Sequence, residues 1–186
     1  GQPADWRTSH MCSSFSGAAE KGSDVEMRYS WEYGSQFSAS QDLQAMLSGW
    51  FESGTEVIFM CGGSMFQSGT AAAGANDGDI IGVDVDQSGQ SDTVVTSAMK
   101  DLAGSTMDVI AADYADKWAD FGGKVTVFGA EHDAVGLPTD TWSLENWSVD
   151  DYNALFEKVK SGEIEISNEE VADPSTIEWE HVTFVS

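Results

Sequence analysis

Two short apolar runs, Glu56 to Cys61 (EVIFMC) and Asp79 to Val85 (DIIGVDV), constrain the fold of this chain more than any other feature. Each has the length of a strand and is almost wholly apolar. That is the pattern of a parallel strand covered on both faces, not of an antiparallel strand with one wet face. Between them lie a turn, Gly62-Gly63-Ser64, and a run of small residues from Met65 to Gly74 that reads as a helix. Strand, helix, strand in that order makes a right-handed crossover in a layered α/β sheet.

The flanking sequence extends the pattern. Thr93 to Thr96 reads as a third strand, Lys124 to Phe128 as another, and Glu163 to Ile166 as a short one. Asp24 to Trp31 alternates apolar and polar, as a strand does. Ser40 is a good N-cap ahead of Leu43, Met46, Leu47 and Trp50 at helical spacing, and Gly54 closes that helix. Ser13 to Lys21 reads as a helix stopped by Gly22. Met99 to Phe121 reads as a long helix with Leu102, Met107, Ile110 and Tyr114 toward the core. Val149 to Lys160 is amphipathic, with Tyr152, Leu155, Phe156 and Val159 inward. The divisions expected are an irregular segment 1–12, an α/β body 13–166, and an acidic tail 167–186 in which only His181 to Val185 is strand-like.

Charge narrows the function classes. The chain of 186 residues carries 8 Lys and Arg against 32 Asp and Glu, a formal net charge of −24. Such a surface repels phosphate backbones and anionic headgroups, which excludes nucleic-acid and membrane-surface binding as expectations. No apolar run approaches the roughly 18 residues of a membrane span. The opening Gly-Gln-Pro-Ala-Asp-Trp is neither a signal peptide nor a Met start, and the chain reads as a piece of a longer protein. Cys61, closing an apolar run, reads as a small buried hydrophobe, and a bridge from it to Cys12 stays open. With no CxxC and with His10, His132 and His181 scattered, neither a zinc site nor a Ser/His/Asp arrangement is expected.

Ligands of open α/β sheets sit at the carboxyl ends of the strands, so chemistry is sought there. Gly62-Gly63 follows a buried strand and either lets backbone approach a ligand or makes a plain tight turn. Phe37 and Phe66 each follow a strand end; a phenyl ring at a cleft mouth stacks on a flat ligand, and in a core it simply packs. Asp84 and Asp86 flank Val85 and would serve a metal, acid/base chemistry or sugar hydroxyls, or be loop acids of a very acidic chain. Lys100 is a rare cation near those ends, either a partner for ligand and Asp84 or a solvated lysine.

The order of motifs resembles a known family. It runs through Tyr33-Gly34-Ser35-Gln36-Phe37, Gly54-Thr55-Glu56-Val57-Ile58-Phe59, Cys61-Gly62-Gly63-Ser64, Ile81-Gly82-Val83-Asp84-Val85-Asp86-Gln87 and Val95-Thr96-Ser97-Ala98-Met99-Lys100. Gly129 to Pro138 (GAEHDAVGLP) and Tyr152 to Ile166 (YNALFEKVKSGEIEI) continue it, so that it covers 13–166. Together these resemble the basic membrane lipoprotein family, substrate-binding components of ABC importers whose characterised members bind purine nucleosides.

The resemblance implies a type I periplasmic-binding-protein-like lobe, a mostly parallel sheet with helices on both faces, in the C-terminal half of a two-lobed receptor. It implies that Asp84 binds ribose, Lys100 lies in the cleft, Gly62 and Gly63 line the ligand, and Phe37 stacks on the base. It gives no ligand role to Asp86 or Gln87 and implies no cofactor and no catalysis. It also implies an ABC permease as partner and an extracytoplasmic, membrane-tethered location for the full-length protein. The competing expectations are a flavodoxin-like or metal-dependent hydrolase using Asp84 and Asp86, and a sugar-sensing module of the same fold.

Overall fold

The computed structural model describes residues 24–30, 32–33, 37–166, 176 and 181–185. The expected helix Ser13 to Lys21, Cys12 and any bridge from it, His10, Trp31, the Gly34 to Gln36 loop and most of the tail from Ser167 lie outside them. In chain order the described elements are β1 (Val25–Met27), α1 (Gln41–Glu52), β2 (Val57–Phe59), α2 (Met65–Asn76), β3 (Asp79–Asp84), β4 (Val94–Lys100), α3 (Leu102–Tyr114), β5 (Val135–Gly136), α4 (Val149–Lys160) and β6 (Val182–Phe184). The chain divides into two compact units, residues 33–161 and, separately, residues 1–32 with 162–186.

The larger unit is the layered α/β sheet that the apolar runs predict. Its strand order is β2-β3-β4-β5, with β2, β3 and β4 parallel and β5 an antiparallel edge. Ile58 and Ile80 stand in register and both are buried. With Met60 and Val94 they pack against Leu43, Leu47 and Phe51 of α1 and Phe66, Ala72 and Ala73 of α2. Spacing of four residues puts the three α1 side chains on one stripe. Each large side chain so buried contributes on the order of 1.5–3 kcal/mol. Phe66, at 6% exposure, is thereby a core residue and not a cleft residue.

Ser40 caps α1 as expected, its hydroxyl accepting from the Leu43 amide at 3.1 Å. The buried Ser68 hydroxyl of α2 accepts from the Ser40 amide and donates to the Ser40 carbonyl, both at 2.9 Å. This fixes where α1 begins relative to α2. Helix α4 has the expected bounds and starts with a capping box between Ser148 and Asp151. Tyr152 of α4 packs its ring against Trp142, Trp147 and Phe156, and its hydroxyl accepts from the Leu137 amide at 3.0 Å.

Four expectations are corrected. Met99 and Lys100 belong to β4, not to a helix, because ladders claim them on both sides: Asp84 pairs Met99, and β5 pairs both. The helix therefore starts at Leu102 and ends at Tyr114, and its supposed core face is exposed at Leu102, Met107, Ile110 and Tyr114. Periodicity identifies such a face but not what covers it. Lys124 to Phe128 forms no strand, and Val125 is 97% exposed. Glu163 to Ile166 is bend and coil. In both stretches the alternation finds no strand among the described residues to pair with. Cys61 is half-buried: it lies past the end of β2, in the turn where the Gly62 amide donates to the Met60 carbonyl, while Met60 is in the core.

In the smaller unit β1 and β6 pair in parallel, Val25 opposite Val182 and Met27 opposite Phe184. Tyr29 meets Phe184 edge-on at 5.8 Å. No helix among the described residues is long and apolar enough to cross a membrane.

Candidate functional site

The carboxyl ends of β2, β3 and β4 lie side by side, because Phe59 is in register with Ile81 and Asp84 with Met99. All five candidate residues belong to these ends or to the loop that packs on them. They fall into two contact sets.

The first set is Phe37, Gly62 and Gly63. The amide and hydroxyl of Ser64 both donate to the Phe37 carbonyl, at 3.0 and 3.2 Å, tying the Phe37 loop to the turn after β2. A β-carbon on Gly62 would lie 2.4 Å from Phe37 Cδ1, and one on Gly63 would lie 2.8 Å from the Phe37 carbonyl oxygen. Gly63 also has φ of +45°, so this turn requires glycine for space and for conformation. What approaches the two glycines here is the Phe37 ring itself. The Gly62 amide donates to the Met60 carbonyl at 3.0 Å. Phe37 keeps 38% of its surface exposed.

The second set is Asp84 and Lys100. The Lys100 ammonium donates to Asp84 Oδ1 at 2.8 Å, with side chains 37% and 42% exposed. One residue serves as the last of β3 and the other as the last of β4, which is why 16 positions of sequence close to a single contact. Asp84 has φ of +70°, and the Val85 amide donates to the Val83 carbonyl at 2.9 Å. An i to i+2 bond around a left-handed central residue is a rare, strained γ-turn. Such conformations cost on the order of 1–3 kcal/mol and persist where surrounding contacts over-determine them.

Those contacts come chiefly from Gln87, Ser97 and Gly82, to which sequence reading gave no role of their own. Gln87 folds back so that its side-chain carbonyl accepts from the Val83 amide at 2.8 Å, while its own amide donates to the buried Ser97 hydroxyl at 3.0 Å. A β-carbon on Gly82 would lie 2.6 Å from Ser97 Oγ and 2.7 Å from Gln87 Oε1, so glycine leaves the room this loop needs. Asp86 accepts from the Ser88 amide at 3.0 Å and from the Thr141 hydroxyl at 2.7 Å. The Ser88 amide chiefly, then Thr141, hold its carboxyl below the usual aspartate range against a smaller opposing effect of burial. A polar Gln just beyond Asp-Val-Asp was the available signal, read as a side chain returning to its own backbone. Nearby, the strand irregularity that leaves Val95 unpaired has its carbonyl capped by the Ser143 hydroxyl at 2.6 Å.

Asp84 and Asp86 are thus held by different partners, and no three His, Cys, Asp or Glu gather as a metal site among the described residues. What the arrangement offers is a half-exposed carboxylate beside an ammonium, and a phenyl ring braced on a glycine turn. That equipment suits hydrogen-bonding and stacking on a small polar ligand.

Comparison with solved structures finds similarity to solute-binding proteins of ABC transporter systems. One, from Aeropyrum pernix K1, is 19% identical over 70% of this chain and 45% of its own, with a TM-score of 0.49. Another, from Conexibacter woesei DSM 14684, is 22% identical over 69% of this chain and 43% of its own, also with a TM-score of 0.49. The chain spans less than half the length of either. A family model described as ABC transporter substrate-binding protein PnrA-like matches residues 7–170, nearly the whole chain, which therefore belongs to the Bmp family of ABC substrate-binding proteins.

Proposed function

We propose that this chain forms one lobe of a two-lobed receptor that binds a purine nucleoside outside the cytoplasmic membrane and delivers it to an ABC permease. Asp84 accepts hydrogen bonds from the ribose hydroxyls, Phe37 stacks on the base, and Lys100 orients the carboxylate. Gly62 and Gly63 give Phe37 its seat. The protein works by binding and release, without a cofactor, and a lipid anchor on the full-length protein holds it at the membrane.

The observation that carries this reading is the Asp84 carboxylate at the carboxyl edge of the sheet, one oxygen taken by Lys100 and the side chain 42% exposed. An ionised carboxylate only accepts hydrogen bonds, and its two oxygens offer about four acceptor positions. Ribose presents two neighbouring hydroxyl donors, a bidentate match. Family membership supports a substrate-binding role rather than catalysis.

Adenosine and 2′-deoxyadenosine titrated calorimetrically against the two-lobed protein test it. Hydrogen bonds to a charged group are worth about 1.5–3 kcal/mol. Removing the 2′-hydroxyl should therefore weaken binding roughly ten- to a hundredfold. Asp84→Ala should weaken adenosine strongly and the deoxynucleoside less, with Asp84→Asn between. Equal binding of both ligands to wild type, or unchanged adenosine affinity in Asp84→Ala, leaves Asp84 a loop acid.

A further inference from the structure

We propose that Gln87 is a positioning residue for Asp84, acting through the backbone and not by touching ligand. The proposal deepens the nucleoside reading and rests on it for the role of Asp84. The sequence from Val83 to Gln87 makes a closed device. The Val85 amide bonds the Val83 carbonyl and turns the chain at Asp84, whose φ of +70° aims its side chain at Lys100. The same Val83 is gripped on its other backbone group, because its amide donates to Gln87 Oε1. Gln87 in turn is anchored to β4 by its amide on the fully buried Ser97 hydroxyl.

The geometry is economical. In a parallel sheet the amides beyond the last ladder bond lose their partners where neighbouring strands end, and a buried amide without one is costly. Gln87 supplies the acceptor at that point and, being covalently four residues on, closes the loop at the spacing the left-handed turn needs. Ser97 lies opposite Gly82 in the β3–β4 register, and only a glycine there leaves space for both the serine hydroxyl and the glutamine carbonyl. Gly82, Ser97 and Gln87 are therefore one unit, although 15 positions separate the first two. Asp86 fastens the far side of the loop through Ser88 and Thr141.

Hydrogen exchange on the 186-residue chain, read amide by amide, tests this. Gln87→Met keeps the length of the side chain and removes the acceptor. Exchange at Val83 and Val85 should quicken on the order of tenfold, with a change in the backbone coupling that reports φ at Asp84, while Ile58 and Ile80 in the core keep wild-type rates. Gln87→Glu retains an acceptor oxygen at the same reach and should restore protection at Val83. In the two-lobed protein, Gln87→Met should shrink the preference for adenosine over 2′-deoxyadenosine on the order of tenfold. A folded Gln87→Met with wild-type exchange at Val83 and Val85 overturns the proposal, as does uniform quickening across the core, which marks a merely structural residue. Should Gln87→Met fail to fold, Ser97→Ala loosens the same anchor and is held to the same pattern. Asp84→Ala run alongside separates the two ideas. If it leaves the ligand preference intact, the ribose reading fails, while Val83 exchange still decides the role of Gln87.

Discussion

The Phe37 ring rests on the backbone of Gly62 so closely that a β-carbon on the glycine would lie 2.4 Å from Cδ1 and 2.9 Å from Cε1. The ring is thus aimed by a hydrogen atom where every other residue has carbon. Gly62→Ala should displace the ring and leave the distant core intact. Overpacking of this kind costs about 1–3 kcal/mol. Urea melts should show a loss in that range, and NMR should show shifted Phe37 ring resonances. Unmoved resonances in a fully stable variant would falsify the seat.

Asp86 should govern part of the acid sensitivity. Its carboxyl is held below the unfolded value by the Ser88 amide and the Thr141 hydroxyl. A group depressed in the folded state binds its proton more readily when unfolded, so its contribution is present above the unfolded value and fades as pH falls through the folded one. Asp86→Asn should melt lower than wild type near pH 7. The gap should close as pH falls through and below the usual aspartate range. A gap that persists at the acid end would assign the loss to packing, not to charge.

Net charge of −24 should destabilise the compact state at low ionic strength. The screening length falls to about 10 Å at 0.1 M salt. Melting temperature should rise with added sodium chloride, most steeply at the lowest concentrations. A flat response would mean the carboxylates stand too far apart to repel.

The 186-residue chain by itself should bind nucleosides weakly. A receptor that closes two lobes on its ligand divides contacts and water exclusion between them. Calorimetry with adenosine tests this on a preparation proven monomeric by sedimentation. Submicromolar affinity would show that one lobe carries the whole site.

The legible parts of the fold were those whose cause is local. Asp79 to Asp84 announces itself because an inner strand has little polar choice, and Ser40 because a cap is a one-residue decision; Val57 to Phe59 is legible as a strand, but it is an edge strand with Val57 43% exposed and not one covered on both faces. Lys100 was misread as helical because Ser97 to Lys100 is compatible with either state and the ladder to β3 and β5 decides it. Asp84 and Lys100 could each be named from the sequence and their pairing offered as one alternative, but the 2.8 Å contact that decides it depends on where both strands stop. Gln87 went unassigned because its importance lies in reaching Val83 and Ser97, and a side chain's destination is not written in its identity.

The pairing of β1 with β6 has a consequence for biosynthesis. Asp24 meets His181 at 3.1 Å across 157 positions of chain. At translation rates of about 5–20 residues per second, roughly ten to thirty seconds separate the appearance of β1 from that of its partner. Before that interval ends, residues 33–161 have acquired every strand of their own four-stranded sheet. Val25 to Met27, in contrast, waits as a strand with an unmet edge. Slowed synthesis would lengthen the time for which that edge is open to pairing with another chain.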